Sequence, residues 1–384
     1  MAGGRKTARP VLRVLACLTV VVVLGSCAAP ARHRPAVVAS HHARPVSTPL
    51  AVPGPVLSVP LGGEVDDLAV GGDYLWAFAR DSGVLVRVDQ RTGQVRRFAL
   101  TAWRGLPLVI AASARGVWLA DQHSTRPDLI RVDPQTGRIV ARPRLPGGPG
   151  PVTDLAAAHG WLWVLVPDAA RPPGWRVLRV NTATNRVDGI SGDTPGTQLT
   201  GHTAAIWASA GKLWVTGSMH VIVRLDPPTL AMGTTATGYE SVGLVFGDGH
   251  AWALSFGRPR LAEIDARTGK AIRRLATPPP SATGDDYAIA GHDQLWVFRG
   301  THLAELNPTS GHVITSARVY PLGASSYPPA VPAVITPTGL WYLAQTSHGI
   351  ALDRIGARPR RPRHPHLPLP RRSPRARPLS SRSH

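Results

Sequence analysis

The amino-acid sequence predicts an all-β fold, a β-propeller of seven blades. One sequence motif recurs seven times between residues 62 and 356, and the tryptophans of consecutive copies are 38 to 51 residues apart. Apolar and polar residues alternate within each copy, as in strands with one buried face, and residues typical of tight turns separate the runs. Repeats of this length that hold four short strands each are typical of propeller blades.

Each copy contains a strand with an apolar–Trp pair, followed by a strand that ends in Asp or Asn. The seven tryptophans are Trp76, Trp118, Trp163, Trp214, Trp252, Trp296 and Trp341. The seven acid or amide residues are Asp89, Asp133, Asn181, Asp226, Asp265, Asn307 and Asp353. We interpret the tryptophans as packing residues between blades, because one large ring recurs in every copy. The Asp and Asn residues are interpreted as turn caps and not as metal ligands, because their side chains accept backbone N–H bonds in turns.

The last copy of the repeat lacks a fourth strand, and this predicts how the ring closes. After Asp353 the chain runs into its tail, so the seventh copy has no fourth strand of its own. Residues 54–62 resemble the fourth strand of the sixth copy, and we predict that they complete the last blade. Such a closure leaves no exposed sheet edge between the ends of the ring. The alternative is an eight-bladed ring with one degenerate blade.

Residues 1–26 are predicted to be a lipoprotein signal peptide. Four basic residues within 5–13 precede an apolar run over 14–24, which is too short to span a bilayer. The run ends in Leu-Gly-Ser-Cys, which resembles the bacterial lipobox, so Cys27 is the predicted lipidation site. An ordinary signal peptide or an uncleaved anchor is the alternative. The other cysteine, Cys17, lies within the leader, so we expect no disulfide in the mature chain.

The rest of the chain divides into three parts. Residues 27–53 are predicted to be a flexible tether, 54–356 the propeller, and 357–384 a disordered tail rich in Arg and Pro. The formal net charge is +20, but residues 54–356 hold 27 basic and 23 acidic residues, so most of the excess lies at the ends. This balance predicts no nucleic-acid partner. The basic tail is expected to contact anionic lipid or a wall polymer, and the predicted location is the extracytoplasmic face of the cell membrane.

The repeat phrases resemble the YVTN and quinoprotein-dehydrogenase-like superfamily, which includes YncE-like and virginiamycin B lyase-like propellers. The resemblance covers about residues 55–356 and implies seven blades. The lyase's catalytic histidine and acidic metal-binding motifs cannot be matched residue by residue, nor can the Trp and Arg/Asp set of a quinone site. The resemblance therefore implies a fold and leaves the activity open, and no cofactor is expected.

A binding site is predicted on one face of the ring. In a blade with strands a to d, the d–a and b–c connections share one face, here called the loop face, where the connections are long and irregular. Binding residues concentrate on such loops. The candidate ligand-binding residues are Trp103, Arg104, His123, Arg126, His202, Tyr239, Glu240, Asp285, Asp286, Tyr287, His302 and Tyr327. Four b–c loops carry a histidine, but we interpret these as solvated side chains and predict no metal site.

The sequence favours a membrane-anchored, monomeric binding or protein-interaction scaffold that acts through its loop face. Its expected partners are an envelope protein, a glycan or a small molecule, besides the membrane that holds the lipid on Cys27. A lyase- or hydrolase-type enzyme at the mouth of the central channel is one alternative, although no catalytic residue can be assigned. A sensor or accessory subunit of an envelope system is another.

Overall fold

A computed structural model describes residues 50–51 and 57–356, except 124–127, 147–150, 169–173, 192–204, 210, 217–220, 237–240, 248, 256–259, 279–285, 292–293, 320–332 and 348. The predictions for the signal peptide, Cys27, most of the tether and the tail 357–384 lie outside these residues. In the described part of the chain, no helix has the length and apolar character needed to cross a membrane.

The first four blades are consecutive four-stranded antiparallel sheets. Blade 1 contains β3 (Val65–Gly71), β4 (Tyr74–Ala79), β5 (Val84–Asp89) and β6 (Val95–Ala99). Blade 2 contains β7 (Leu108–Ser113), β8 (Gly116–Asp121), β9 (Leu129–Val132) and β10 (Ile139–Ala141). Blade 3 contains β11 (Asp154–Ala158), β12 (Trp161–Pro167), β13 (Trp175–Asn181) and β14 (Arg186–Ile190). Blade 4 contains β15 (Ala205–Ser209), β16 (Lys212–Thr216), β17 (Val221–Leu225) and β18 (Met232–Ala236).

The last three blades include two strands from the start of the described chain. Blade 5 contains β19 (Ser241–Gly247), β20 (His250–Ser255), β21 (Arg260–Asp265) and β22 (Ala271–Ala276). Blade 6 contains β23 (Asp286–Gly291), β24 (Gln294–Arg299), β25 (His302–Leu306), β26 (Val313–Arg318) and the short β1 (Leu50–Ala51). Blade 7 contains β27 (Ala333–Thr336), β28 (Gly339–Thr346), β29 (Gly349–Gly356) and β2 (Leu57–Pro60).

The seven sheets form a closed ring, as the sequence predicts. The first strand of each blade contacts the first strand of the next, and β27 of blade 7 contacts β3 of blade 1. Seven hydrophobic clusters lie one at each blade-to-blade interface. The core is thus divided among seven equivalent interfaces, so each blade is stable only between two neighbours.

The seven repeat tryptophans occupy these interfaces, which confirms their interpretation as packing residues. Each is at most 4% exposed. Trp76 belongs to the cluster between blades 1 and 2, and Trp341 to the cluster between blades 7 and 1. Truncation of a ring of this size to alanine typically costs about 3–5 kcal/mol in a core.

An arginine lies directly across the sheet from the tryptophan in five blades and contacts the next blade. Arg87 opposes Trp76 and donates from Nη1 to the carbonyl oxygen of Pro134 in the blade 2 turn, at 2.7 Å. The other four are Arg131, Arg179, Arg224 and Arg354, which donate to Thr182, Pro227, Arg267 and Gln90 respectively. We call these five side chains the arginine clasps. Charged donors make stronger hydrogen bonds than neutral ones, so the clasps reinforce the apolar contacts.

The Asp and Asn residues cap the turns between the third and fourth strands of blades 1 to 6, as predicted. In blade 1, the carboxylate of Asp89 accepts the N–H groups of Arg91 and Thr92 at 2.9 and 2.7 Å. The bond from Thr92 is the main cause of a lowered pKa at Asp89. The chain then reverses at Gly93, whose φ of 72° lies in the left-handed region that favours glycine.

The prediction of a turn cap is wrong for Asp353. This residue lies inside β29, is 7% exposed and accepts a bond from the hydroxyl of Tyr342 at 3.4 Å. No turn follows because the fourth strand of blade 7 comes from the other end of the chain. Burial and the neighbouring carboxylate of Asp353 raise the pKa of Tyr342.

The N-terminal strand closes the ring, as predicted. β2 runs antiparallel to β29, with Leu57 opposite Arg354 and Pro60 opposite Ala351. Val59 is 4% exposed, so the closing strand contributes to the core as well as to the sheet. Beyond it, β1 pairs in parallel with β26, with Leu50 opposite Thr315. This second pairing, in the segment interpreted as a tether, is not indicated by the sequence.

The contact between each turn and the preceding blade gives a test of the packing. A Cβ atom added at Gly137 would overlap the ring of Phe98 in blade 1, and its φ is 71°. Gly160 has a φ of 82° but nothing within 4 Å of an added Cβ. We expect Gly160→Ala to cost about 1–2 kcal/mol through backbone strain alone. Gly137→Ala should cost at least about 1 kcal/mol more through overpacking.

Urea unfolding of the two variants measures this difference. Equal losses of stability would contradict the tight docking of the blade 2 turn on blade 1.

Candidate functional site

The structure describes six of the twelve predicted loop-face residues, two of them only in their backbone. One of the six, Trp103, is buried. Arg104 in blade 1 is exposed and donates from Nε to the carbonyl oxygen of Asp81 at 2.5 Å. His123 in blade 2 and His302 in blade 6 are exposed. Asp286 and Tyr287 begin β23, and only their backbone is described. The remaining predictions, Arg126, His202, Tyr239, Glu240, Asp285 and Tyr327, lie outside the described residues.

Trp103 is a packing residue, contrary to its prediction as a ligand contact. A 3-10 turn (Thr101–Trp103) in the connection from blade 1 to blade 2 folds the indole inward. The side chain is 4% exposed and belongs to the hydrophobic cluster between these blades. The position of an aromatic residue in a loop does not show whether its ring faces solvent. Here the ring is buried because it packs against apolar residues of blades 1 and 2. The described residues contain no group of three or more His, Cys, Asp or Glu side chains placed to hold a metal ion.

A groove with a volume of about 910 Å³ lies at the outer rim between blades 2 and 3. We call it the rim groove. One wall is the start of the connection after β10, and the other is the blade 3 turn with β14. Its lining residues are Arg142, Arg144, Leu145, Pro146, Thr184, Asn185, Arg186, Val187, Asp188, Gly189 and Ile190. The volume is in the range of ligand-binding pockets.

The rim groove carries an excess of positive charge. Arg144 and Arg186 are exposed, and neither has an ion pair with another described residue. Arg142 has one partner, Asp128 at 3.4 Å, and both side chains are more than half exposed, so that pair is weak. Asp188 is the one acid among the described residues that line the groove, and its carboxylate is bound by Arg179 Nε at 2.8 Å. The groove therefore attracts anionic groups.

Apolar surface adjoins these charges. Ile190, at the end of β14, is 47% exposed and lines the groove. Ile139 and Val140, on the outer strand β10 of blade 2, are 36% and 55% exposed but are not among the residues that line the groove. Three of the five large hydrophobic side chains that are markedly exposed in the described chain thus lie on these two outer strands. Exposed apolar residues gathered beside charges are typical of a binding surface.

Sequence reasoning placed candidate residues on the connections of the loop face but missed the arginines of the rim groove. Arg142 and Arg144 lie in an Arg-Pro-Arg run that looks like one more solvated loop. Arg186 begins a strand like other exposed arginines of the repeat. Their position on a common groove depends on how blades 2 and 3 meet, which only the fold shows.

A second cavity, with a volume of about 290 Å³, lies between blades 5 and 6 on the face opposite the loop face. Here Glu263 takes the place of an arginine clasp, directly opposite Trp252. Arg273 from the outer strand binds Glu263 and donates from Nη2 to the carbonyl oxygen of Pro308 at 2.7 Å. His250 Nδ1 lies 2.9 Å from Glu263 Oε1. The contact with the next blade is thus preserved, with the charges redistributed over two strands.

Two carboxylates link inner strands of neighbouring blades. Asp67 accepts the N–H of Ile110 in blade 2 at 3.0 Å, and Asp154 accepts the N–H of Ile206 in blade 4 at 2.8 Å. Burial, reinforced by the negative charge of Asp67, raises the pKa of Asp154 to about 8, against the opposing effect of two backbone N–H bonds. These residues satisfy backbone donors and are interpreted as structural.

The fold and its interfaces define the chain as a seven-bladed β-propeller. No family model matches the sequence, and no curated protein sequence matches it. Among solved structures, the chain is similar to BamB from Moraxella catarrhalis, with 14% identity over 76% of this chain and 83% of that one and a TM-score of 0.49.

Two further structures show similar values. AztD from Citrobacter koseri has 13% identity over 68% of this chain and 73% of that one, with a TM-score of 0.48. The computationally designed Ika8 protein has 12% identity over 76% of this chain and 85% of that one, with a TM-score of 0.51. At these identities the likeness concerns the fold alone.

The raised pKa of Asp154 predicts how stability depends on pH. Between about pH 4 and pH 8 the folded protein binds a proton at Asp154 that the unfolded chain has released, so stability falls as the pH rises through this window. Asp154→Asn removes the titration. The loss of unfolding free energy from pH 5 to pH 8.5 should therefore shrink by at least about 1 kcal/mol in the variant.

Urea unfolding at the two pH values checks this, with Asp73→Asn in an exposed turn as the control. An unchanged pH dependence in Asp154→Asn would mean that this carboxyl does not retain its proton in the fold.

Proposed function

We propose that the protein is a lipid-anchored, extracytoplasmic propeller that acts as a non-catalytic binding scaffold. The repeat phrases support its placement among the YVTN-like propellers, and the Leu-Gly-Ser-Cys motif supports attachment through Cys27. In this proposal the membrane holds the protein at its N-terminus, while the rigid ring presents a binding surface to a partner in the cell envelope.

The observation that carries the proposal is the rim groove. It is built on β14 and the start of the connection after β10, with Arg144 and Arg186 in no ion pair with a described acid and Ile190 exposed in the same lining. Concave surfaces that combine apolar side chains with a few charged groups are typical of binding sites. The connections that follow β10 and β14 begin at this groove.

The anchor is tested by metabolic labelling with an alkyne fatty acid in the native host. We expect Cys27→Ser to abolish labelling and to release the protein from the membrane fraction, because the thiol is the acylation site. Cys17→Ser, in the apolar part of the leader, is the control and should be labelled normally. Labelling that persists in Cys27→Ser would rule out this anchor.

The scaffold role is tested by photocrosslinking in cells. A photoreactive amino acid at Thr184, in the blade 3 turn beside the rim groove, should give a discrete crosslinked partner. Thr229 occupies the same turn position in blade 4 and is also exposed, so it is the matched control. Equal crosslinking at both positions, or none at Thr184, would contradict a partner at the rim groove.

A further inference from the structure

We propose that the rim groove binds an extended acidic segment of a partner protein, which adds alongside β14 as a fifth strand of blade 3. This inference rests on the proposed scaffold function and specifies its partner.

The charges indicate an acidic ligand with more than one negative group. Arg186 is the first residue of β14, and Ile190 is the last. The connection that carries Arg144 starts on the Ile190 side of the groove. Four residue steps of an extended strand span about 13 Å. A single anionic group cannot contact both ends of such a groove, but an extended chain with several acidic side chains can.

The backbone of blade 3 offers a free edge for such a chain. β14 is the outermost strand of its sheet and has no strand partner on its outer side within the described chain. In blade 6 the corresponding outermost strand, β26, is paired in parallel with β1. The outer strands of this ring can therefore accept a fifth strand, which is a common way for sheets to bind peptides.

The apolar wall favours a peptide over a purely anionic polymer. Ile190 and Val187 lie on β14, and Leu145 lies on the opposite wall. A strand whose side chains alternate between acidic and apolar residues would place carboxylates near the arginines and cover the exposed apolar surface. A polyphosphate or an acidic glycan would leave that surface exposed to water.

The chain itself does not supply this ligand. Residues 1–53 and 357–384 contain no Asp or Glu, so the tether and the tail would be repelled by the arginines of the groove. A second copy has the same basic ends and a body close to neutral. Charge complementarity therefore points to a different, acidic protein.

The test is a selection from a random ten-residue peptide display library against the full-length protein. We expect enrichment of peptides in which Asp or Glu alternates with apolar residues. The strongest binder is then labelled with fluorescein, and its affinity is measured by anisotropy. Arg144→Glu/Arg186→Glu should weaken binding at least tenfold, because like charges face each other in that complex.

Matched variants separate groove effects from general charge or stability effects. Arg138→Glu/Arg267→Glu makes the same charge change at exposed positions outside the groove and should alter affinity less than twofold. Ile190→Ser should weaken binding, whereas Ile272→Ser, 49% exposed on the outer strand of blade 5, should not. Methylation of alternate peptide amides should also abolish binding, because the added strand then loses its hydrogen bonds.

Three outcomes would overturn the proposal. The first is enrichment without acidic residues, and the second is equal affinity in Arg144→Glu/Arg186→Glu and the control. The third is displacement of the peptide by phosphatidylglycerol vesicles whose own binding depends on both arginines. That result would mean that the groove binds a membrane surface. A crosslinked partner at Thr184 that lacks an acidic segment would leave the scaffold function intact and refute this inference alone.

Discussion

The contact of each blade with the next is the interaction on which the structure depends. A buried tryptophan fills each interface, and in five blades the arginine opposite it reaches across to a turn carbonyl of the following blade. Because the seven hydrophobic clusters lie between sheets, no blade has a core of its own. The interface between blades 7 and 1 is complete only when the ring closes, and Arg354 and β2 make that closure.

The arginine opposite the tryptophan is not present in every blade, since blades 5 and 6 have Glu263 and Glu305 at that position. In blade 5 the arginine opposite the tryptophan is replaced by Glu263, yet Arg273 from the outer strand still donates to the turn of blade 6. The guanidinium-to-carbonyl bond is thus retained although its residue changes strand. In the described structure Arg144 and Arg186 make no such bond, and both line the rim groove that we propose as a binding site.

The repeat made the blades, the tryptophan interfaces and the closing strand predictable, because period-two alternation and turn residues are local signals. The turn caps followed as well, except at Asp353, where the missing turn is a consequence of closure by the other end of the chain. The burial of Trp103 and the rim groove could not be predicted, since both depend on which loop residues of neighbouring blades meet. Six of the twelve residues predicted for the loop face are described; Trp103 is buried, and the other five lie in three different blades, so they do not by themselves form a site.

The two first described segments of the chain both join the last blades, β1 on blade 6 and β2 on blade 7. Hydrogen–deuterium exchange at the amide of Leu61, whose N–H lies 3.0 Å from the carbonyl oxygen of Ile350, tests this closure most directly. The account predicts that this amide exchanges as slowly as those of β29, because both are released only when the ring opens. Exchange at the rate of an unstructured chain, while β29 stays protected, would contradict it.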